Sequence, residues 1–161
     1  QRTLTEFNTL QGRIVRRRND WIEKTTTRLA QENSLVAMED LDVQAMTKRP
    51  KPRPDPAKPG RYLHNGAKAK AGLDRSILSN CWGRVMIRLQ DKMAANGGRL
   101  VVVSAAYTSQ TCHKCGHVAK ENRDSQAVFR CVECGYEANA DVNAAMNILG
   151  RALVKTGGGT A

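Results

Sequence analysis

The 161-residue chain contains no apolar run near the roughly 18 residues that a membrane-spanning helix needs, so no span is expected. Nor does it open with the cationic and apolar stretch of a secretory signal, because its first residues are polar and charged. An initiating Met is missing too, and Gln1 leads almost directly into a helical pattern, as expected of a piece of a longer protein. The cysteines number five, an odd count. With no secretory signal, that argues against a disulfide scaffold and for a reducing cytoplasm. Acidic residues are scarce: 15 Asp and Glu against 26 Lys and Arg leave a net charge of +11. That imbalance points to a polyanionic partner, because phosphate neutralisation by Lys and Arg supplies most non-specific nucleic-acid affinity. An anionic membrane is disfavoured as that partner, since no basic helix with an aromatic face is present. At 40% apolar, the chain still suffices for one folded domain with a modest core and a small insert.

Periodicity supplies the elements. Leu4, Phe7, Leu10, Ile14, Trp21, Ile22 and Leu29 recur at helical steps, predicting one long helix from 4 to about 31. Its other face carries Arg13, Arg16, Arg17 and Arg18, a solvated face or a phosphate contact. Ser34 to Met38 reads as a buried strand with Glu39 and Asp40 at its C-terminal end, where open α/β sheets place their chemistry. All five prolines fall between 50 and 59, which forbids helix and favours a stiff, extended linker or surface loop. From Lys48 to Arg75 there are nine basic residues and two acids, a net of +7. Lys48, Arg49, Lys51, Arg53, Arg61, Lys68 and Lys70 are therefore candidates for a basic arm along a nucleic-acid backbone. Asp74 is a candidate cap for a second helix over 74–96, with Cys81 inside its apolar stripe as a small core residue and Gly97–Gly98 as its stop. A strand with an unbroken apolar run, Leu100 to Val103, follows over 99–105, then a cysteine module and a last helix to about Leu153, with a flexible tail over 154–161.

Cys112-His-Lys-Cys115 and Cys131-Val-Glu-Cys134 are separated by 15 residues, the spacing of a four-thiolate zinc ribbon. Gly116 and Gly135 follow the two pairs and permit the backbone that each knuckle requires. A four-cysteine shell is closed, so the zinc would be structural. His113 and His117 are surplus to it.

Glu39 ends one predicted strand and Asp141 precedes the last helix, within Asn139-Ala-Asp-Val-Asn-Ala-Ala-Met-Asn147. Convergent carboxylates suit Mg²⁺ and phosphodiester hydrolysis. Composition alone does not choose these two over Asp40, Asp42 or Asp74, and Asp141 also reads as a plain helix N-cap.

A resemblance narrows the choice. Ala37-Met-Glu-Asp-Leu41 resembles the second RuvC motif of the OrfB/TnpB proteins of insertion sequences, relatives of the compact type V CRISPR effectors. Tyr107-Thr-Ser-Gln-Thr-Cys112 with His-Lys-Cys-Gly116 resembles their zinc-ribbon entry, and Asp141-Val-Asn-Ala-Ala-Met-Asn-Ile148 their third RuvC motif. The resemblance runs through about residues 1–153. It implies an α/β, partial RNase H-like (RuvC) domain over 1–106 and 138–153 with a zinc ribbon inserted at 107–137. It further implies an RNA-guided DNA endonuclease that hydrolyses phosphodiesters with two metal ions. Glu39 and Asp141 would be two of three metal-binding acids, and guide RNA and target DNA the partners. Two departures stand out. The family's usual acid two positions before Asp141 is Asn139 here, and the first RuvC motif, which supplies the remaining Asp, is absent. Asp20 cannot replace it, lying in a helix pattern, so the chain by itself is expected not to cut without an upstream part of the same protein. The competing readings are a nuclease-dead RNA-guided DNA binder of repressor type, a free-standing ribbon module and a DNA transposase accessory protein.

Overall fold

A computed structural model describes residues 2–157, the side chain of Arg2 excepted. Residues 158–161, most of the tail read as flexible, lie outside the described residues. The fold is mixed α/β and divides into two compact units, residues 1–26 with 42–89 and residues 27–41 with 90–161. Helix α1, Arg2–Glu32, contributes to both.

In the first unit, Ile22 and Thr26 are fully buried on α1, while Leu4, Phe7, Leu10, Ile14 and Trp21 of the same predicted stripe stay exposed. Helix α2, Val43–Met46, is capped by Asp42, whose Oδ1 accepts from the Ala45 N–H at 2.9 Å. The proline-rich stretch is not simply extended. Strands β2, Arg53–Pro54, and β3, Tyr62–Leu63, pair antiparallel across a turn in which Asp55 Oδ1 accepts from the Ala57 N–H and Gly60 takes φ +81°. Pro54 is tolerated in so short a ladder, where few donors are needed.

The single helix expected over 74–96 is two, α3 over Ala67–Ser79 and α4 over Trp82–Ala95. Cys81, at φ +52°, breaks the helical path between them. It is half-buried at a junction rather than inside a continuous stripe. Asp74 is not a cap either. It lies within α3 and forms an ion pair with Lys70, whose ammonium also donates to the Met46 carbonyl. On α1 and α4, Arg88 grips Glu23 through two bonds of 2.7 and 2.9 Å, and Arg84 donates to Asn19.

The second unit is built on two parallel strands, β1 over Leu35–Asp40 and β4 over Arg99–Ser104. Gly97 at φ +71° ends α4 and Gly98 enters β4. A Cβ on Gly98 would come within 2.7 Å of Met93 Cε and 3.2 Å of the Ser34 carbonyl, so the strand entry needs glycine. Register pairs Glu39 with Val103 and Asp40 with Ser104. Helix α5, Ala140–Lys155, covers one face of this sheet: Ala152 and Ile148 pack with Val101, Val103, Leu35 and Ala37. The helix runs to Lys155, two residues past the expected end. Lys155 donates to the Val102 carbonyl at 2.9 Å, and Arg151 donates to the carbonyls of Ser104 and Ala106 at 2.7 and 2.8 Å. Those bonds satisfy backbone acceptors of β4 and of the residues that follow it. No helix among the described residues is long and apolar enough to cross a membrane.

Candidate metal centre and carboxylate site

The two cysteine pairs form knuckles of the same design. The Gly116 N–H donates to the Cys112 carbonyl at 2.9 Å, and the Cys112 N–H to the His117 carbonyl at 2.8 Å. In the second knuckle the Gly135 N–H donates to the Cys131 carbonyl at 3.0 Å, and the Cys131 N–H to the Tyr136 carbonyl at 2.9 Å. Gly116 and Gly135 adopt φ +78° and +71°, the left-handed backbone anticipated for them. Together these loops turn four Sγ atoms inward to lie within 4.8 Å of one another.

The separations fit one tetrahedral ion. Cys112 Sγ lies 3.7 Å from Cys134 Sγ, and Cys115 Sγ 3.6 Å from Cys131 Sγ. Four thiolates about 2.3 Å from zinc would stand about 3.8 Å apart at the corners of a tetrahedron. Among the described residues this is the only group of three or more His, Cys, Asp or Glu placed to hold a metal, and neither His113 nor His117 belongs to it. The thiols are electrostatically unequal. For Cys115 the backbone of His117 favours the thiolate, but burial and the three neighbouring sulfurs outweigh it and push the thiol up to about 12. For Cys131 burial opposes the charge. The backbone N–H groups of Cys134 and Glu133, with the neighbouring thiols, overcome that and bring it down to about 6.

The knuckles are held by a residue that spacing does not reveal. Asn122 ends a 3₁₀ turn, Lys120–Asn122, and is fully buried. Its Nδ2 donates to the carbonyls of Gln110 (2.9 Å) and His117 (3.2 Å), and its Oδ1 accepts from the Val132 N–H at 3.0 Å. One side chain thus ties the first knuckle to the second. Strands β5, Val128–Arg130, and β6, Glu137–Asn139, close the module antiparallel, with Phe129 buried among Cys112, Cys131 and Ala140.

Glu39 sits in β1 and Asp141 in the first turn of α5, both in the second compact unit. Side chains alternate along a strand, so Glu39 shares a face with Leu35 and Ala37, the face that α5 covers, whereas Asp40 points the other way. Asp141 is not the cap. Asn139 is, its Oδ1 accepting from the N–H groups of Asp141 (2.9 Å) and Val142 (3.3 Å), a task Asn performs as well as Asp. Of the other acids considered, Asp42 caps α2 and Asp74 pairs with Lys70. Neither Glu39 nor Asp141 belongs to a group of three or more potential metal ligands among the described residues.

Two asparagines of the same helix meet the loop that leads into the cysteines. Asn143, fully buried, accepts from the His113 N–H at 3.0 Å and donates to the Thr111 carbonyl at 2.8 Å. Asn147 donates to the carbonyls of Thr108 and Thr111 at 2.9 and 2.7 Å. Their four-residue spacing on one face of the last helix was the available signal. Of the basic candidates, Lys48, Arg49, Lys51, Arg53, Arg61 and Lys68 lie in the first unit around β2, β3 and the start of α3. Lys70 is committed to Asp74 and Met46.

Residues 82–148 match the family described as Cas12f1-like, TNB domain. Over 98% of its length the chain is 42% identical to InsQ of Escherichia coli, whose name describes an RNA-guided DNA endonuclease and of which the chain spans 38%. It is 52% identical over 52 residues, 32% of this chain and 12% of the relative, to the CRISPR-associated endodeoxyribonuclease Cas12f1 of Sulfoacidibacillus thermotolerans. Its fold resembles a chain in the cryo-EM structure of a Cas12f1–sgRNA–target DNA complex, with a TM-score of 0.58 at 22% identity, covering 88% of this chain and 36% of that one. The chain is thus a relative of the InsQ/TnpB-like proteins and of the type V effectors of the Cas12f group, matching a part of each.

Proposed function

We propose that this chain is the RuvC-type, RNase H-like nuclease portion of an RNA-guided DNA endonuclease, with its cysteine module holding a structural zinc ion. The supporting observation is the placement of Glu39 on the α5-covered face of β1 and of Asp141 at the start of α5, in one compact unit. This occurs in a sequence aligned along 98% of its length with a protein whose name describes an RNA-guided DNA endonuclease. In this reading Glu39 and Asp141 are metal-binding acids of the nuclease centre. Their carboxylates are hard oxygen donors suited to Mg²⁺, with a further acid supplied from elsewhere in the whole protein. Bound Mg²⁺ would activate water and stabilise the leaving oxygen of a phosphodiester. The chain's own task is to hold its two carboxylates on one side of the sheet.

The cysteine module has a closed donor set, which suits zinc in a folding role. Domain by domain, 1–106 and 138–153 are assigned to the nuclease and 107–137 to the ribbon. The basic residues Lys48, Arg49, Lys51, Arg53, Arg61 and Lys68 would contact the phosphates of guide RNA and target DNA, with the heteroduplex read by shape. The setting would be the prokaryotic nucleoid. The test is Asp141→Asn in the whole protein. Guide-directed DNA binding should persist while Mg²⁺-dependent cleavage falls at least 100-fold, and undiminished cleavage would remove Asp141 from the centre.

A further inference from the structure

Thr108 is almost entirely buried, at 4% exposure, and its hydroxyl lies 2.5 Å from Glu39 Oε1 and 3.1 Å from the Ala105 carbonyl. A hydroxyl has one proton, and the short contact places it on the carboxylate, the geometry of a charge-assisted O–H···O⁻ bond. Nothing in the four-cysteine shell requires this contact, and residue spacing gives no hint of it, because 69 residues separate the partners.

The loop that carries Thr108 is fixed on its other side by α5. Asn147 donates to the carbonyls of Thr108 and Thr111, and Asn143 binds the Thr111 carbonyl and the His113 N–H on either side of Cys112. One short segment therefore touches the strand bearing Glu39, the helix bearing Asp141 and the first cysteine knuckle.

We propose that Thr108 is a positioning residue for Glu39, and that the Tyr107–Thr111 loop sets both acids in register with the cysteine module. This rests on Glu39 being a metal-binding acid. With Oε1 fixed by the hydroxyl, Glu39 has one oriented oxygen left for an ion. Removing the hydroxyl frees the carboxyl group to rotate. Loss of a partner that orients a metal ligand typically weakens metal affinity about 10- to 100-fold.

The experiment compares Thr108→Val, Thr108→Ser and Glu39→Gln in the whole protein. Two quantities are read: Mn²⁺ affinity by electron paramagnetic resonance, and the Mg²⁺ concentration giving half-maximal DNA cleavage. Thr108→Val should weaken Mn²⁺ binding and raise the Mg²⁺ midpoint by at least about tenfold, with cleavage at saturating Mg²⁺ nearly restored. Thr108→Ser, which keeps the hydroxyl, should stay within about threefold of the parent. A purely packing role would instead lower melting temperature and zinc content without moving the Mg²⁺ midpoint, and that result overturns the proposal. Should Thr108→Val fail to hold zinc, Thr108→Ala against Thr108→Ser provides the same comparison without the added bulk. Unimpaired cleavage by Glu39→Gln would refute the nuclease reading itself, separately from the role of Thr108.

Discussion

Asn122 offers the sharpest test of how the cysteine module is held. Its side chain makes three bonds to backbone groups at 2.9, 3.2 and 3.0 Å, with no exposure to solvent. Each such bond contributes about 1 kcal/mol net, and truncation also leaves the Val132 N–H without its Oδ1 acceptor. Asn122→Ala should therefore cost about 3 kcal/mol. For a chain of this size that is a fall of about 6–12 °C in melting temperature. Because the lost bonds join the His117 carbonyl beside one knuckle to the Val132 N–H beside the other, the metal should be held less tightly as well. An effect of about 10- to 100-fold is typical when a group that orients metal ligands is removed. Circular dichroism melting and competition with a chromophoric zinc chelator give the two readings. Asn122→Asp should also be destabilising, since it replaces two donors facing carbonyls with acceptors. A melting shift under about 1 °C with parental zinc affinity would refute the assignment of Asn122 as the clamp.

Three further outcomes are expected. Cys112→Ser should lose bound zinc, measured by mass spectrometry, and expose residues 107–137 to rapid amide hydrogen exchange, because structural zinc contributes folding free energy directly. Parental zinc content would contradict the site. Zinc uptake should release protons at pH 7–8, where Cys131, at about 6, is already largely thiolate but Cys115, at about 12, is still a thiol. Affinity should therefore rise with pH across this range and weaken toward pH 6, by about tenfold per unit for each proton displaced. Calorimetry in buffers of different ionisation enthalpy counts the protons, and a count of zero would contradict the four-thiolate site. Among the basic residues, Arg49→Ala should lower the salt slope of nucleic-acid binding by about 0.7–0.9, whereas Lys70→Ala should leave the slope unchanged and lower stability. The distinction follows from the commitment of Lys70 to Asp74 and Met46.

Much of this was legible in the sequence where one residue type has one physical use. Paired cysteines followed by glycine specified the knuckles, because only a left-handed backbone turns both sulfurs onto one ion. The apolar, largely β-branched run at 100–103 and the apolar run before Glu39 specified strands. Other features depended on tertiary partners and were not legible. The helix break at Cys81 lies in a left-handed conformation that no glycine or proline announces. The apolar stripe of α1 predicts burial, yet Leu4, Phe7, Leu10 and Ile14 are exposed, because periodicity records a face and not what covers it. The alternative reading of Asp141 as a plain N-cap fails because Asn139, equally suited to capping, lies at the helix entry. Asn122 and Thr108 act through backbone groups and a carboxylate distant in sequence, which local spacing does not encode.

The measurement that bears most directly on the central claim is guide-directed, Mg²⁺-dependent DNA cleavage by the whole protein carrying this chain, beside its Glu39→Gln variant. The expected result is cleavage by the parent and none by the variant, with both binding the guided target about equally. Tight guided binding without cleavage by either protein, or equal cleavage by both, would contradict the assignment of Glu39 to a nuclease centre.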